Sequence, residues 1–498
     1  MIRRRFLGHA LGVGGLALLP GWLRAGEMDH SMHDMGAMSG MDHSSAVQPL
    51  AAENALPGNA ALQPLPKLLN QGSQPGVFKA ELIAAPVAVE LLPGQPTSFW
   101  AYNGSVPGPL IEAREGDRVE IRFINRLEQP STIHWHGLPV PPDQDGNPHD
   151  PVAPGGERVY RFDLPKGSAG TYWYHPHPHG HTAEQVFRGL AGAFIVRAAD
   201  DPLDNIAERH LLISDLKLNA DGSIAENDAN DWMNGREGQF VLINGQHQPT
   251  IELKTAERWR LWNACSARYL KLDLGGHSFS LVGTDGGLLE QPQTLQEILL
   301  APAERIEIIV QPIAQQQTVA LTALTYDRQK MGNVAPEQVL TLAQVTIAKG
   351  QPTGLPQTLR AISPLGKSSA DKRVVFSENM RMENGQHQMD FLVNGKAFDM
   401  HRVDMRSQLG AVELWEVYND SHMDHPFHIH GTQFQIVEFE LDGKVTPAAF
   451  LAWKDTVNLR PRETVRVKMV QSFKGLRMFH CHILEHENQG MMATLEVV

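Results

Sequence analysis

The chain has 498 residues, 42% of them apolar, which is enough to bury a large core and to divide into about three domains. A formal net charge of −13 with no basic stripe argues against a nucleic-acid partner. With 44 Gly and 33 Pro among many short apolar runs, the composition leans to an all-β chain. No internal stretch reaches the roughly 18 apolar residues of a membrane span.

The N-terminus reads as an address. Arg3-Arg4-Arg5-Phe6-Leu7-Gly8 has the form of a twin-arginine export signal, followed by an apolar run through Leu19 and a cut after Ala25. Residues 1–25 are thus expected to direct export by the Tat machinery to the periplasm. Met28-Asp29-His30-Ser31-Met32-His33-Asp34-Met35 continues through Met38 and Met41-Asp42-His43, giving five Met and three His without apolar periodicity. Such a tract cannot build a core and is expected to be disordered. Its thioethers and imidazoles suit Cu(I). From Gln48 to about Gln74 a Pro-, Ala- and Leu-rich connector follows, so residues 26–75 form tract and linker.

Three segments then rhyme. Asn103-Gly104 precedes a strand-like run to Asn125 and then His134-Trp135-His136-Gly137. Asn244-Gly245 precedes Arg258-Trp259-Arg260-Leu261-Trp262-Asn263 and then Gly276-His277. Asn394-Gly395 precedes Glu413 to Asn419 and then His425-Pro426-Phe427-His428-Ile429-His430. The Asn-Gly pairs lie 141 and 150 residues apart, a domain-sized repeat. Three related β-sandwiches are expected, over residues 76–200, 201–355 and 356–498. The middle copy keeps only His277, read as a core or loop histidine.

Histidine pairs cluster in the first and third copies: His134/His136, His175/His177, His428/His430 and His480/His482. Side chains two apart on a strand share a face. These eight imidazoles could therefore hold a metal cluster between the first and third domains. His425 and Cys481 have the opposite parity. With His486 and Met491 they make the thiolate, imidazole and thioether set of a blue-copper electron-transfer site. His480-Cys481-His482 would then join two sites through a few covalent bonds. The only other cysteine, Cys265, is expected to be a buried free thiol rather than a disulfide partner of Cys481.

At these residues the chain resembles a three-domain multicopper oxidase of the laccase-like superfamily. It is most similar to bacterial copper efflux (cuprous) oxidases and periplasmic laccases. Trp173-Tyr174-His175-Pro176-His177, Gly189-Leu190-Ala191-Gly192, Trp453-Lys454-Asp455-Thr456 and His480 to Met492 carry that resemblance, over roughly residues 76–498. It implies three cupredoxin-like Greek-key sandwiches and four copper ions, acting as a monomer. By the same resemblance His134 and His428 bind type 2 copper. His136, His175, His177, His430, His480 and His482 bind the type 3 pair, leaving His179 and His181 on the rim. Asp145 and Glu487 stand where similar oxidases place the acids that deliver protons to O2.

Two reductant classes follow from the resemblance, Cu(I) in copper tolerance and phenols or aromatic amines in laccase-like oxidation. A non-enzymatic, copper-binding relative is a third class, but here every ligand position is filled. The acidic residue usual four positions before the type 1 histidine is here Ser421, and no long Met-rich insertion is present. Met380, Met382 and Met389 read as part of a short connection. The reductant is expected to dock near His486 and Met423.

Overall fold

The computed structural model describes residues 48–383 and 386–498, so the leader and the Met/His tract expected through residue 43 lie outside the described residues. Strands dominate and form three successive units. The first pairs a four-stranded with a three-stranded sheet, the second a seven- with a five-stranded sheet, the third a six- with a five-stranded sheet. Each unit has its own apolar core. Val119, Trp135 and Phe194 lie in the first, Trp259, Leu272 and Ile306 in the second, Trp415, Phe427 and Phe479 in the third.

Local sequence explains the strands. Arg118–Asn125 and Val412–Asp420 alternate buried and more open positions, as strands with one face on a core must. Glu257–Asn263 of the middle unit is buried throughout. Its outer face is covered by the first unit, where Arg260 Nη1 donates to Thr171 Oγ1 at 2.6 Å and Trp262 Nε1 to the Tyr172 carbonyl at 2.6 Å.

The three Asn-Gly pairs form the same turn. Asn103, Asn244 and Asn394 have φ of 52°, 53° and 52°, and the following glycines are also left-handed. Asn tolerates that conformation and Gly adopts it freely, which is why this dipeptide closes tight hairpins. Each Asn Oδ1 also accepts a backbone N–H from the unit's first strand, from Ile83, Leu212 and Val375. That first strand runs parallel to the one carrying Asn125, Asn263 or Asn419.

Two readings of the sequence need revision. The connector after Gln48 has almost no regular structure, yet it bridges to Asn219, Thr250 and Leu110 and buries Leu65 with Trp173 and Trp262. Met380 and Met382 lie on the long strand Ala370–Glu383, with Met380 opposite Met389 on Gln386–Val393, and not in a short connection.

Candidate metal centres

The eight paired histidines meet at one place between the first and third units, all completely buried. His134 and His175 are locked side by side by reciprocal backbone bonds of 2.8 and 3.2 Å. His428 and His480 lie directly opposite each other on the strands His425–Ile429 and Gly475–Cys481. Across the unit boundary, His134 stacks on His430 at 3.7 Å and His136 on His428 at 3.8 Å between ring centres.

The donor atoms decide what the cluster can hold. Outer ring nitrogens face acceptors: His134 Nδ1 meets the Asp145 carbonyl and Oδ1, both at 3.1 Å, and His428 Nδ1 meets the Asp455 carbonyl at 2.9 Å. His175 Nδ1 faces the Pro176 carbonyl at 2.8 Å, and His480 Nδ1 the Cys481 carbonyl at 2.9 Å. A neutral imidazole has one N–H, so a proton used there leaves the inner Nε2 as a bare lone pair. Those inner atoms crowd together: His134 to His428 at 3.4 Å, His177 to His480 at 3.2 Å and His430 to His480 at 3.1 Å. The Nε2 atoms of His136, His175 and His482 are buried without any partner among the described residues. Converging lone pairs repel unless a cation sits between them, so the donor set fits metal. Burial, reinforced by neighbouring rings, holds His136, His175, His177, His430, His480 and His482 well below the ordinary histidine range, in the neutral form that ligates.

A second convergence lies one residue away along the chain. Cys481 Sγ is 3.4 Å from His425 Nδ1 and 3.9 Å from His486 Nδ1, and the two ring nitrogens are 3.3 Å apart. All three side chains are completely buried. Met491 is buried as well, and its backbone fixes the turn: its N–H donates to the His486 carbonyl at 2.9 Å and its carbonyl accepts from Cys481 N–H at 3.0 Å. Burial pushes the Cys481 thiol up, so a thiolate there needs a bound cation. The outer nitrogens again have acceptors, Glu378 Oε1 for His425 at 3.0 Å and the Met233 carbonyl for His486 at 3.1 Å. Phe391 stacks on His486 at 3.9 Å.

Asp145 and Glu487 each span the boundary between the two units. Asp145 lies beside His134 and 3.3 Å from His430 Nδ1; Glu487 lies 3.4 Å from His177 Nε2 and 3.3 Å from His480 Nδ1. Burial raises the Glu487 carboxyl to about 8. His179 is exposed and His181 half-buried, both outside the cluster, and His277 sits half-buried in a loop beside Gln317. Both cysteines are free. Met423, near which the reductant is expected to dock, has a completely buried side chain. Glu378, Asp455, Arg305 and Met233 were missed as site residues. Asp455 belongs to Trp453-Lys454-Asp455-Thr456, but nothing in its spacing gives it a role.

The same three segments match family models described as multicopper oxidase, at residues 84–201, 212–345 and 372–498. A multicopper oxidase of Staphylococcus aureus is 32% identical over 450 residues, covering 87% of this chain and 91% of the relative. The chain is a multicopper oxidase. It is therefore a copper-dependent oxidoreductase that uses O2 and a reducing substrate, built on cupredoxin-fold sandwiches. Among solved structures, the metallo-oxidase from Campylobacter jejuni is 47% identical with a TM-score of 0.87, covering 90% of this chain and 98% of its own. A laccase of Bacillus subtilis is 28% identical over 471 residues, covering 81% of this multicopper oxidase and 90% of the laccase.

Proposed function

We propose that this oxidase couples one-electron oxidation of Cu(I), or of phenolic and aromatic substrates, to four-electron reduction of O2 to water, in copper tolerance. In this reading His425, Cys481 and His486 hold a type 1 ion with Met491 as its weak axial ligand. His134 and His428 hold type 2 copper, and His136, His175, His177, His430, His480 and His482 the type 3 pair, four ions in all. Bound copper would supply one-electron acceptance at the first centre and O2 reduction at the second. The observation that carries the reading is the link between them. Cys481 belongs to one donor set while its covalent neighbours His480 and His482 belong to the other. Glu487, kept protonated near neutrality by its burial, can give a proton beside His177 and His480, and Asp145 serves the opposite edge. The leader-like first 25 residues support export by the twin-arginine route to the periplasm, where the protein acts as a monomer.

Glu378 favours Cu(I) as reductant. Its Oε1 contacts His425 and its Oε2 lies 3.0 Å from His422 Nδ1, and the His422 side chain is 57% exposed. Two side chains thus connect His425 to solvent, whereas His486 is sealed by Met233 and Phe391. Met380 and Met382 follow Glu378 at two-residue steps on the same strand and are exposed, so their thioethers share its face. A carboxylate, an imidazole and thioethers suit a soft cation. They offer a neutral phenol little. Steady-state kinetics of Glu378→Gln test this: kcat/KM for Cu(I) should fall about 10-fold or more while phenol oxidation changes far less. Equal losses would favour the laccase-like alternative, an oxidase of phenols without a role in copper homeostasis.

A further inference from the structure

The middle unit supplies no candidate ligand, yet one of its side chains reaches the cluster. Arg305 opens the strand Arg305–Val310 and is completely buried. Its Nη1 and Nη2 grip Asp455 Oδ1 and Oδ2 at 2.7 and 2.5 Å. Its Nε donates to the Thr171 carbonyl of the first unit at 3.0 Å, and Nη1 to the Ala303 carbonyl of its own unit at 3.0 Å. One guanidinium therefore touches all three units. Asp285 backs it, accepting the Arg305 backbone N–H at 2.7 Å on one oxygen and Lys454 Nζ at 2.9 Å on the other.

Asp455 faces the histidines. Its carbonyl accepts from His428 Nδ1 at 2.9 Å, and its Oδ1 lies 3.6 Å from the Nδ1 atoms of both His428 and His136. Arg305 Nη1 itself comes within 3.3 Å of His136 Nδ1. The neighbouring glycine records how tightly the fork fills this space. A Cβ on Gly137 would stand 2.2 Å from Asp455 Oδ2 and 2.6 Å from Arg305 Nη2.

We propose that Arg305 is a positioning residue for the type 2 end of the cluster. By gripping Asp455, whose backbone carbonyl takes the His428 Nδ1 hydrogen bond, it fixes the His428 ring, and copper on His134 and His428 depends on a domain that contributes no ligand. A bidentate Arg–carboxylate pair orients both partners, whereas a lysine would neutralise Asp455 without fixing its plane. Partners one shell behind a ligand set the ligand's tautomer and angle, and their loss commonly weakens metal binding about 10–100-fold. The type 1 donors share none of these contacts. The effect should therefore be confined to one centre.

The inference rests on the copper reading of the eight histidines, and copper-loaded wild-type protein tests that reading separately by showing both a blue band and a type 2 EPR signal. Arg305→Lys and Arg305→Gln, purified after loading and dialysed against graded free copper, should keep the blue band. The type 2 signal and the copper content should titrate at about 10–100-fold higher free copper. Arg305→Lys keeps the buried positive charge and serves as the readout if Arg305→Gln does not fold. A wild-type ratio of type 2 signal to blue band in the lysine variant overturns the proposal. So does joint loss of both signals in that variant, because a general structural latch would produce that. Absence of both signals from wild type would instead remove the copper reading itself.

Discussion

Cys481 has to serve two centres from one position. Its sulfur faces His425 and His486, while the backbone on either side carries His480 and His482 into the cluster. Cys481→Ser keeps nearly the same shape but cannot supply a thiolate at neutral pH. The blue band and turnover should disappear while the type 2 signal and the far-UV circular dichroism persist. A blue Cys481→Ser protein would exclude this residue as the type 1 ligand. Met491→Leu removes a weak axial donor and should leave a blue site of higher reduction potential, measured by redox titration. An unchanged potential would remove Met491 from the ligand set. These residues were legible in the sequence because each ligand pair is local: two residues apart on one strand, or a few apart in one turn. Glu378 and Arg305 were not legible for the opposite reason. Glu378 lies 47 residues before His425, and Arg305 acts on a cluster built wholly from the other two units. Their roles arise from strand pairing and domain packing, which local spacing does not encode. Ser421, at the position where an acid is usual, spends its hydroxyl on Asn419 Oδ1 at 2.7 Å.

At the scale of elements, the rhyme visible in the chain has a physical cause beyond family likeness. Asn125 and Asn263 end their strands, Asn419 stands one residue before the end of its own, and all three are buried. Each donates two side-chain N–H bonds to backbone carbonyls, and each Oδ1 accepts the N–H two residues on: Leu127, Cys265 and Ser421. An amide is needed, because only Asn of this length offers two donors and an acceptor together. The alternating strands and their closing Asn were readable; that the Asn clamps the following loop was not, since its partners lie up to 40 residues away. Asn263→Ala should leave two carbonyls and one N–H unpaired in the interior, at a cost on the order of 2–4 kcal/mol, seen as an earlier denaturant midpoint. Its loop holds no ligand, so the copper spectra should not change. Asn419→Ala should cost a similar amount and also shift the blue band, because Asn419 holds the Met423 carbonyl two residues before His425. A blue band equally unmoved in both would show that this clamp has no hold on the type 1 centre.

Over the whole molecule, the boundary between the first and third units is made of buried histidines, which gives the metal-free protein a defined response to acid. Burial first, and neighbouring rings second, depress His136, His177, His430 and His482 in the folded state. An unfolded chain binds protons on the same rings at about 6.5. As pH falls below that value the unfolded state takes up protons that the folded cluster refuses. The stability these rings allow above pH of about 6.5 is therefore lost progressively as pH falls towards their depressed folded values. Copper adds stability without changing this sign, because the rings it holds are already unprotonated in the folded state and the ion binds only the folded arrangement. The melting temperatures of metal-free and copper-loaded protein should thus both fall between about pH 7.5 and 5, with the loaded protein staying higher. Removing copper with a chelator should lower the melting temperature, and the gap should close only when the pH is low enough for protons to displace the metal. Hydrogen exchange should locate the metal-free loss in the segments around His134 to His177 and His425 to His482, with the middle-unit strands Phe279–Thr284 and Gln317–Leu324 protected longer. Coincident melting curves with and without copper would mean that the eight histidines do not share a metal-linked boundary.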